Sequence, residues 1–207
     1  FDAQLVINGD SYADTVIFAG DVNLGANNLE VYAEIIELNA NVTIETTGSI
    51  TLEAEDTLNP LVTLTPFVDI TSTDARVTVG ENASIIGGEV TLSATADSAN
   101  LFDEDNGAPS SIGENLLDFF GQLSLLGGLA MSTATAKIHV DDGGTITATN
   151  LVLNAHAKTQ AKVKTVTAYL GVAVAISDGT ATVIIDPGAT LTSTGDVALY
   201  STVDSQL

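Results

Sequence analysis

The sequence predicts an all-β chain folded as a right-handed parallel β-helix with irregular wide coils, and three observations carry that prediction. One unit of strand, corner, strand, corner, strand recurs along the chain, and such a unit cannot bury its apolar face except by stacking on the next. Within each unit apolar and polar residues alternate, as in "GGEVTLSATADS" (87–98), where Val90, Leu92, Ala94 and Ala96 share one face. Apolar residues make up 45% of the chain but aromatics only 5%, so the core is built in thin layers of small and β-branched side chains.

Taken from the N-terminus, "VNLGANNLEVYAE" (22–34) reads as half a unit, and "ELNANVTIETTGSITLEAEDT" (37–57) as a weak complete one. Three clear copies follow: "ARVTVGENASIIGGEVTLSATADS" (75–98), "AKIHVDDGGTITATNLVLNAHAKT" (136–159) and "ATVIIDPGATLTSTGDVALYSTVDS" (181–205). In these three the first strand ends at Val79, Val140 or Ile185 and a corner of Gly, Asp, Asn or Pro follows. A short strand then starts at Ser84, Thr145 or Thr190, and a long one at Val90, Leu151 or Val197. Stacking would form an inner ladder of Leu29/Val31/Ala33, Ile50/Leu52/Ala54, Val90/Leu92/Ala94, Leu151/Leu153/Ala155 and Val197/Leu199/Ser201. Pairing of successive coils leaves open edges only at the two ends.

The equivalent positions Leu38, Val79, Val140 and Ile185 are 41, 61 and 45 residues apart, so excursions interrupt the coils. Residues 58–74 and 160–182 are themselves strand-like and form further faces of wide coils. Residues 99–135 form a different insertion, an acidic loop followed by a helix near 112–126. Leu116, Leu117, Phe119, Phe120 and Leu123 have helical spacing, Ser111 and Glu114 make a capping box, and Gly127-Gly128 supplies a stop. That helix packs on the outside of the solenoid or offers its apolar face to a partner. The whole chain, 1–207, reads as a single solenoid domain and, because it opens at Phe1 and stops just after a strand, as a piece of something longer.

The formal charge is −22, from 27 acidic and 5 basic residues, and phosphate binding needs the opposite balance, so nucleic acid is set aside as a partner. The acid is uneven: residues 1–118 hold 21 carboxylates against Arg76 alone, a net of −20. The absence of cysteine excludes disulfides, thiolate zinc sites and cysteine nucleophiles. No run of apolar residues reaches the length of a membrane span.

Candidate chemistry is sparse. In "FDEDNG" (102–107) the hard oxygens of Asp103 and Asp105 on a loop suit Ca²⁺, although Ala108 stands where an EF-hand needs glycine. Glu81, Asp141, Asp142 and Asp186 occupy roughly equivalent corners, where acids favour turns for backbone reasons. His139 aligns with Thr78 and Ile184, and His156 with Thr95 and Thr202, so both take outward strand positions, with no nucleophile elbow, zinc spacing or phosphate loop beside them. A polysaccharide-active β-helical enzyme would find acid at Glu53, Glu55 and Asp56, but Arg76, Tyr12, Tyr32, Phe18, Phe67 and Phe102 are too scattered to supply its cation and sugar platforms. An ice-binding face would find "TST" (71–73), "TIT" (145–147) and "TLT" (190–192), but irregular coils break the array. No catalytic or organic cofactor residue is therefore assigned.

The phrases "VTVGENASIIGGEVTLSATADS", "IIDPGATLTSTGDVALYS" and "LGVAVAISDGTATV" resemble the repetitive β-helical regions of filamentous-haemagglutinin-like giant bacterial surface adhesins, loosely over residues 22–205. The resemblance implies a secreted or cell-surface role: a stiff, acidic stalk or filament that carries adhesion to a surface glycan or protein. It transfers no catalytic residue. The alternative on the same fold is a self-assembling subunit whose end coils stack head to tail into a fibre or sheath.

Overall fold

A computed structural model of the chain describes residues 4–9, 13–57, 68–99, 129–161 and 174–206, and every regular element among them is a β-strand. After β1 (Gln4–Asn8), the strands fall into five coils of three. These are β2 (Thr15–Phe18), β3 (Val22–Asn23) and β4 (Asn28–Ala33); β5 (Ile35–Leu38), β6 (Thr43–Glu45) and β7 (Ser49–Thr57); and β8 (Val68–Val79), β9 (Ser84–Ile86) and β10 (Glu89–Ala99). The last two coils are β11 (Leu129–Val140), β12 (Thr145–Ala148) and β13 (Asn150–Gln160), then β14 (Val174–Ile185), β15 (Thr190–Ser193) and β16 (Val197–Gln206). Equivalent strands pair in parallel to give three sheets: β1-β4-β7-β10-β13-β16, β2-β5-β8-β11-β14 and β3-β6-β9-β12-β15. The architecture is a parallel β-helix.

The pairing follows the register that hydrophobic alternation demands, because a one-residue slip would turn every buried side chain outward. Leu52 pairs with Val31 and Leu92, Leu153 with Leu92 and Leu199, and Val79 with Leu38 and Val140. The interior tapers across each coil. Leu and Ile side chains such as Leu29, Ile50, Leu92 and Ile138 gather beside the short third sheet, which adds Ile44, Ile85 and Ile146. Ala54, Ala94, Ala155, Ala75 and Ala136 fill the middle, and hydroxyls close the far edge where the two long sheets meet. There Ser98 Oγ donates to Thr71 Oγ1 (2.9 Å), Ser132 Oγ to the Ser98 carbonyl (2.6 Å) and Ser177 Oγ to Thr159 Oγ1 (2.6 Å). These hydroxyls satisfy one another, whereas Thr73 Oγ1, at the next inward position of β8, is buried without a hydrogen-bond partner.

Two corner types explain how regular stacking coexists with irregular spacing. In the four coils after the first, the corners between the second and third sheets are four residues, 39–42, 80–83, 141–144 and 186–189, each closed by a hydrogen bond from its fourth N–H to its first carbonyl, while residues 19–21 make this link in the first coil. The third position has positive φ in all four, Asn41 (61°), Asn82 (53°), Gly143 (67°) and Gly188 (92°), as a type II turn requires. By contrast, the long intervals between Thr57 and Val68, Ala99 and Leu129, and Ala161 and Val174 all fall where the chain leaves the first sheet for the second. Excursions there leave the register intact. The helix expected near 112–126 and the acidic loop of the 99–135 insertion lie outside the described residues.

Candidate functional site

The described residues place their most concentrated chemistry on the outside of the corner that follows β11. His139 is the penultimate residue of β11 and points outward, between Thr78 of β8 and Ile184 of β14. Asp141 opens the next corner, and Asp186 opens the equivalent corner one coil further on, its N–H bonded to the Val140 carbonyl. His139 Nδ1 lies 3.0 Å from Asp141 Oδ1, and His139 Nε2 lies 3.2 Å from Asp186 Oδ2. One ligand atom from each of the three residues lies within 4.8 Å of the others. All three are half-buried, with 21%, 32% and 36% of the respective side chains exposed. Register thus joins residues 45 apart in sequence, Asp141 and Asp186.

Neither histidine is simply a solvated strand residue. His156 Nε2 is 3.7 Å from Asp204 Oδ2 on the outer face of the first sheet, where Lys158 Nζ also bonds Asp97 Oδ2 at 2.8 Å. On the second sheet Arg76 holds Asp74 through its Nε (2.7 Å) and Nη2, and this hydrogen bonding pushes the guanidinium pKa above its already high ordinary value. At the end of β7, Asp56 occupies an inward position and its Oδ2 accepts the Asp74 N–H at 2.7 Å. Burial pushes its carboxyl pKa up from the ordinary aspartate value, while that backbone bond partly opposes the shift. Tyr32 is raised in the same way, by burial first and then by Glu30 and Glu53.

The four corner acids resolve into two columns. Asp141 and Asp186 open their corners, while Glu81 and Asp142 hold the second positions of theirs, with the Asn82 N–H donating to the Asp142 carbonyl. In the sequence the corner acids and His139 stand as separate features. The signal that joins them was present in the alignment of Val140 with Ile185, which puts the following aspartates one above the other. The carboxylates proposed there for Ca²⁺, Asp103 and Asp105, lie outside the described residues. Glu53 and Glu55 share the outer face of β7, while Asp56 turns inward at its end. Among the described residues no helix is long and apolar enough to cross a membrane. No family model, curated protein or solved structure matches the chain.

Proposed function

We propose that this chain is a structural and adhesive module of a secreted or cell-surface bacterial protein, a stiff, acidic stalk of the filamentous-haemagglutinin-like kind. The observation that carries the reading is the unbroken parallel pairing of every coil with the coil before and after it. Each coil advances the structure by one strand spacing, about 4.8 Å, so the fold grows along one axis and resists bending through three hydrogen-bonded sheets. The acidic surface keeps such rods apart by mutual repulsion, and the reading is of a non-enzymatic protein that presents a glycan- or protein-binding surface. Denaturing electrophoresis of the source cell envelope, probed with an antibody to this segment, tests it. A band of several hundred kilodaltons is expected, whereas a band near 21.2 kDa would refute the module.

A second reading on the same fold is a fibre subunit whose coils stack head to tail through their three parallel sheets. Sedimentation of the isolated chain separates the two. A fibre subunit polymerises into uniform rods, and a stalk module remains a discrete particle.

A further inference from the structure

From the corner after β11 we infer a binding site for a divalent transition-metal cation of zinc's type. His139 Nε2 and an Asp186 oxygen act as direct ligands, and Asp141 orients the imidazole through Nδ1. Two independent observations point there.

The first is an orphaned atom. His139 Nε2 is buried and makes no hydrogen bond, although Asp186 Oδ2 is only 3.2 Å away. At that distance a bond fails only if the oxygen lies off the N–H direction. Ligands about 2.0–2.1 Å from a shared zinc ion and 3.2 Å apart subtend about 100° at the metal, and the oxygen then sits about 40° off the imidazole axis. The contact therefore has the spacing of two neighbouring ligands and lacks the alignment of a donor with its acceptor. Asp141 Oδ1 lies 3.0 Å from Nδ1 without a hydrogen bond in this geometry; a turn of the ring on metal binding would let Nδ1–H donate to it and leave the Nε2 lone pair for the cation.

The second is a break in a pattern. In every registered strand pair that contains a carboxylate, the residue opposite it is neutral or cationic; Glu30 and Glu53 face Thr51 and Tyr32, Glu55 faces Thr95, and Asp97 and Asp204 face Lys158. At the corners the rule fails twice, where Glu81 and Asp142 stack one coil apart and where Asp141 and Asp186 do, and only the Asp141–Asp186 column has an imidazole, His139, against it. Stacked like charges repel, and a cation between the coils removes the repulsion. An imidazole in the ligand set favours zinc, nickel or copper over calcium, which takes oxygen alone. The site would clamp the coil of β11–β13 to the coil of β14–β16, and it does not depend on the stalk reading.

The test is calorimetric titration of the metal-free chain with Zn²⁺ and, separately, Ca²⁺, alongside thermal unfolding and circular dichroism of each variant. One Zn²⁺ per chain with a raised Tm is expected. His139→Gln and Asp186→Asn should each weaken binding at least tenfold while keeping the β spectrum. Asp141→Asn should weaken it about 10–100-fold, as loss of an orienting carboxylate does. His156→Gln should leave it unchanged. Absence of Zn²⁺ binding, or equal binding by wild type, His139→Gln and Asp186→Asn, would overturn the site, as would Ca²⁺ binding with the same sensitivity to these variants.

Discussion

Replacing one leucine at two levels of the same inner ladder tests the stacking directly. Leu92 and Leu199 are both paired with the ladder's Leu153, on one side or the other, but Leu92 is fully buried between Leu52 and Leu153 whereas Leu199 is 45% exposed on the last coil. Truncation to alanine removes three carbons, worth about 2–3 kcal/mol of transfer free energy when buried, and a sealed cavity adds about 1 kcal/mol. Leu92→Ala is therefore expected to cost about 3–4 kcal/mol. At Leu199 about half the transfer contribution is already missing and the hole opens to water, so Leu199→Ala should cost about 1 kcal/mol. For a chain of this size the corresponding falls in Tm are roughly 10 °C and roughly 3 °C. Thermal unfolding followed by circular dichroism, with monomer checked by sedimentation, provides the comparison. Equal falls in a monomeric sample would refute the assignment of these two residues to an inner ladder that is sealed in the middle and open at its end.

Three other substitutions probe the corners, the hydroxyl edge and the buried carboxyl. Gly80→Ala is expected to destabilise by about 2 kcal/mol or more, since a Cβ there would lie 2.5 Å from the Leu38 carbonyl oxygen of the previous coil, whereas Gly20→Ala, with open space around it, should be neutral or stabilise by up to about 1 kcal/mol in urea unfolding. Ser132→Ala should cost about 1–2 kcal/mol and speed hydrogen exchange of the Gln160 amide, because Ser132 Oγ accepts that N–H and donates to the Ser98 carbonyl. Asp56→Asn should stabilise the fold at neutral pH, with chemical unfolding measured across pH as the check. The folded-state pKa of Asp56 is raised, so the native state binds more protons than the unfolded chain and the penalty grows as pH rises from the ordinary aspartate value through the folded one. The advantage of asparagine should vanish below about pH 3.9, where both states are protonated.

Most of the ladder was readable from the chain because a solenoid repeats one simple instruction. Val90, Leu92 and Ala94 could be aligned with Ile50, Leu52 and Ala54 by alternation alone, and the structure pairs them in that register. The third sheet was readable from Ser84, Thr145 and Thr190, since a four-residue turn with Asn or Gly in its third position precedes each. The first coil was only half visible: β2 is four residues long and contributes Phe18 alone as a buried residue, too short for alternation to stand out. The hydroxyl edge was hidden for another reason. Ser98, Ser132 and Thr159 continue the inward face but look like surface residues, and only the meeting of two sheets supplies the partners that allow their burial. The His139 cluster was missed because it depends on contacts between adjacent coils rather than on spacing within one.

A chain with a formal charge of −22 faces a particular difficulty in this architecture, because equivalent residues of successive coils stand only about 4.8 Å apart. The strand registers answer it by interposing uncharged or basic residues: Thr57 and Lys158 flank Asp97, Ser49 and Asn150 flank Glu89, and Asn23 and Ile86 flank Glu45. A carboxylate whose nearest acidic neighbour in the column is two coils away sits about 9.6 Å from it, close to the Debye length of about 8–10 Å at ordinary ionic strength, so salt screens most of the repulsion. Acid on adjacent coils has no such protection. The surface can therefore carry a high charge at little cost along the strands, while at the corners, where Glu81 stacks on Asp142 and Asp141 on Asp186, interposition fails, and at the second of these columns His139 stands ready to help a bound cation relieve the repulsion.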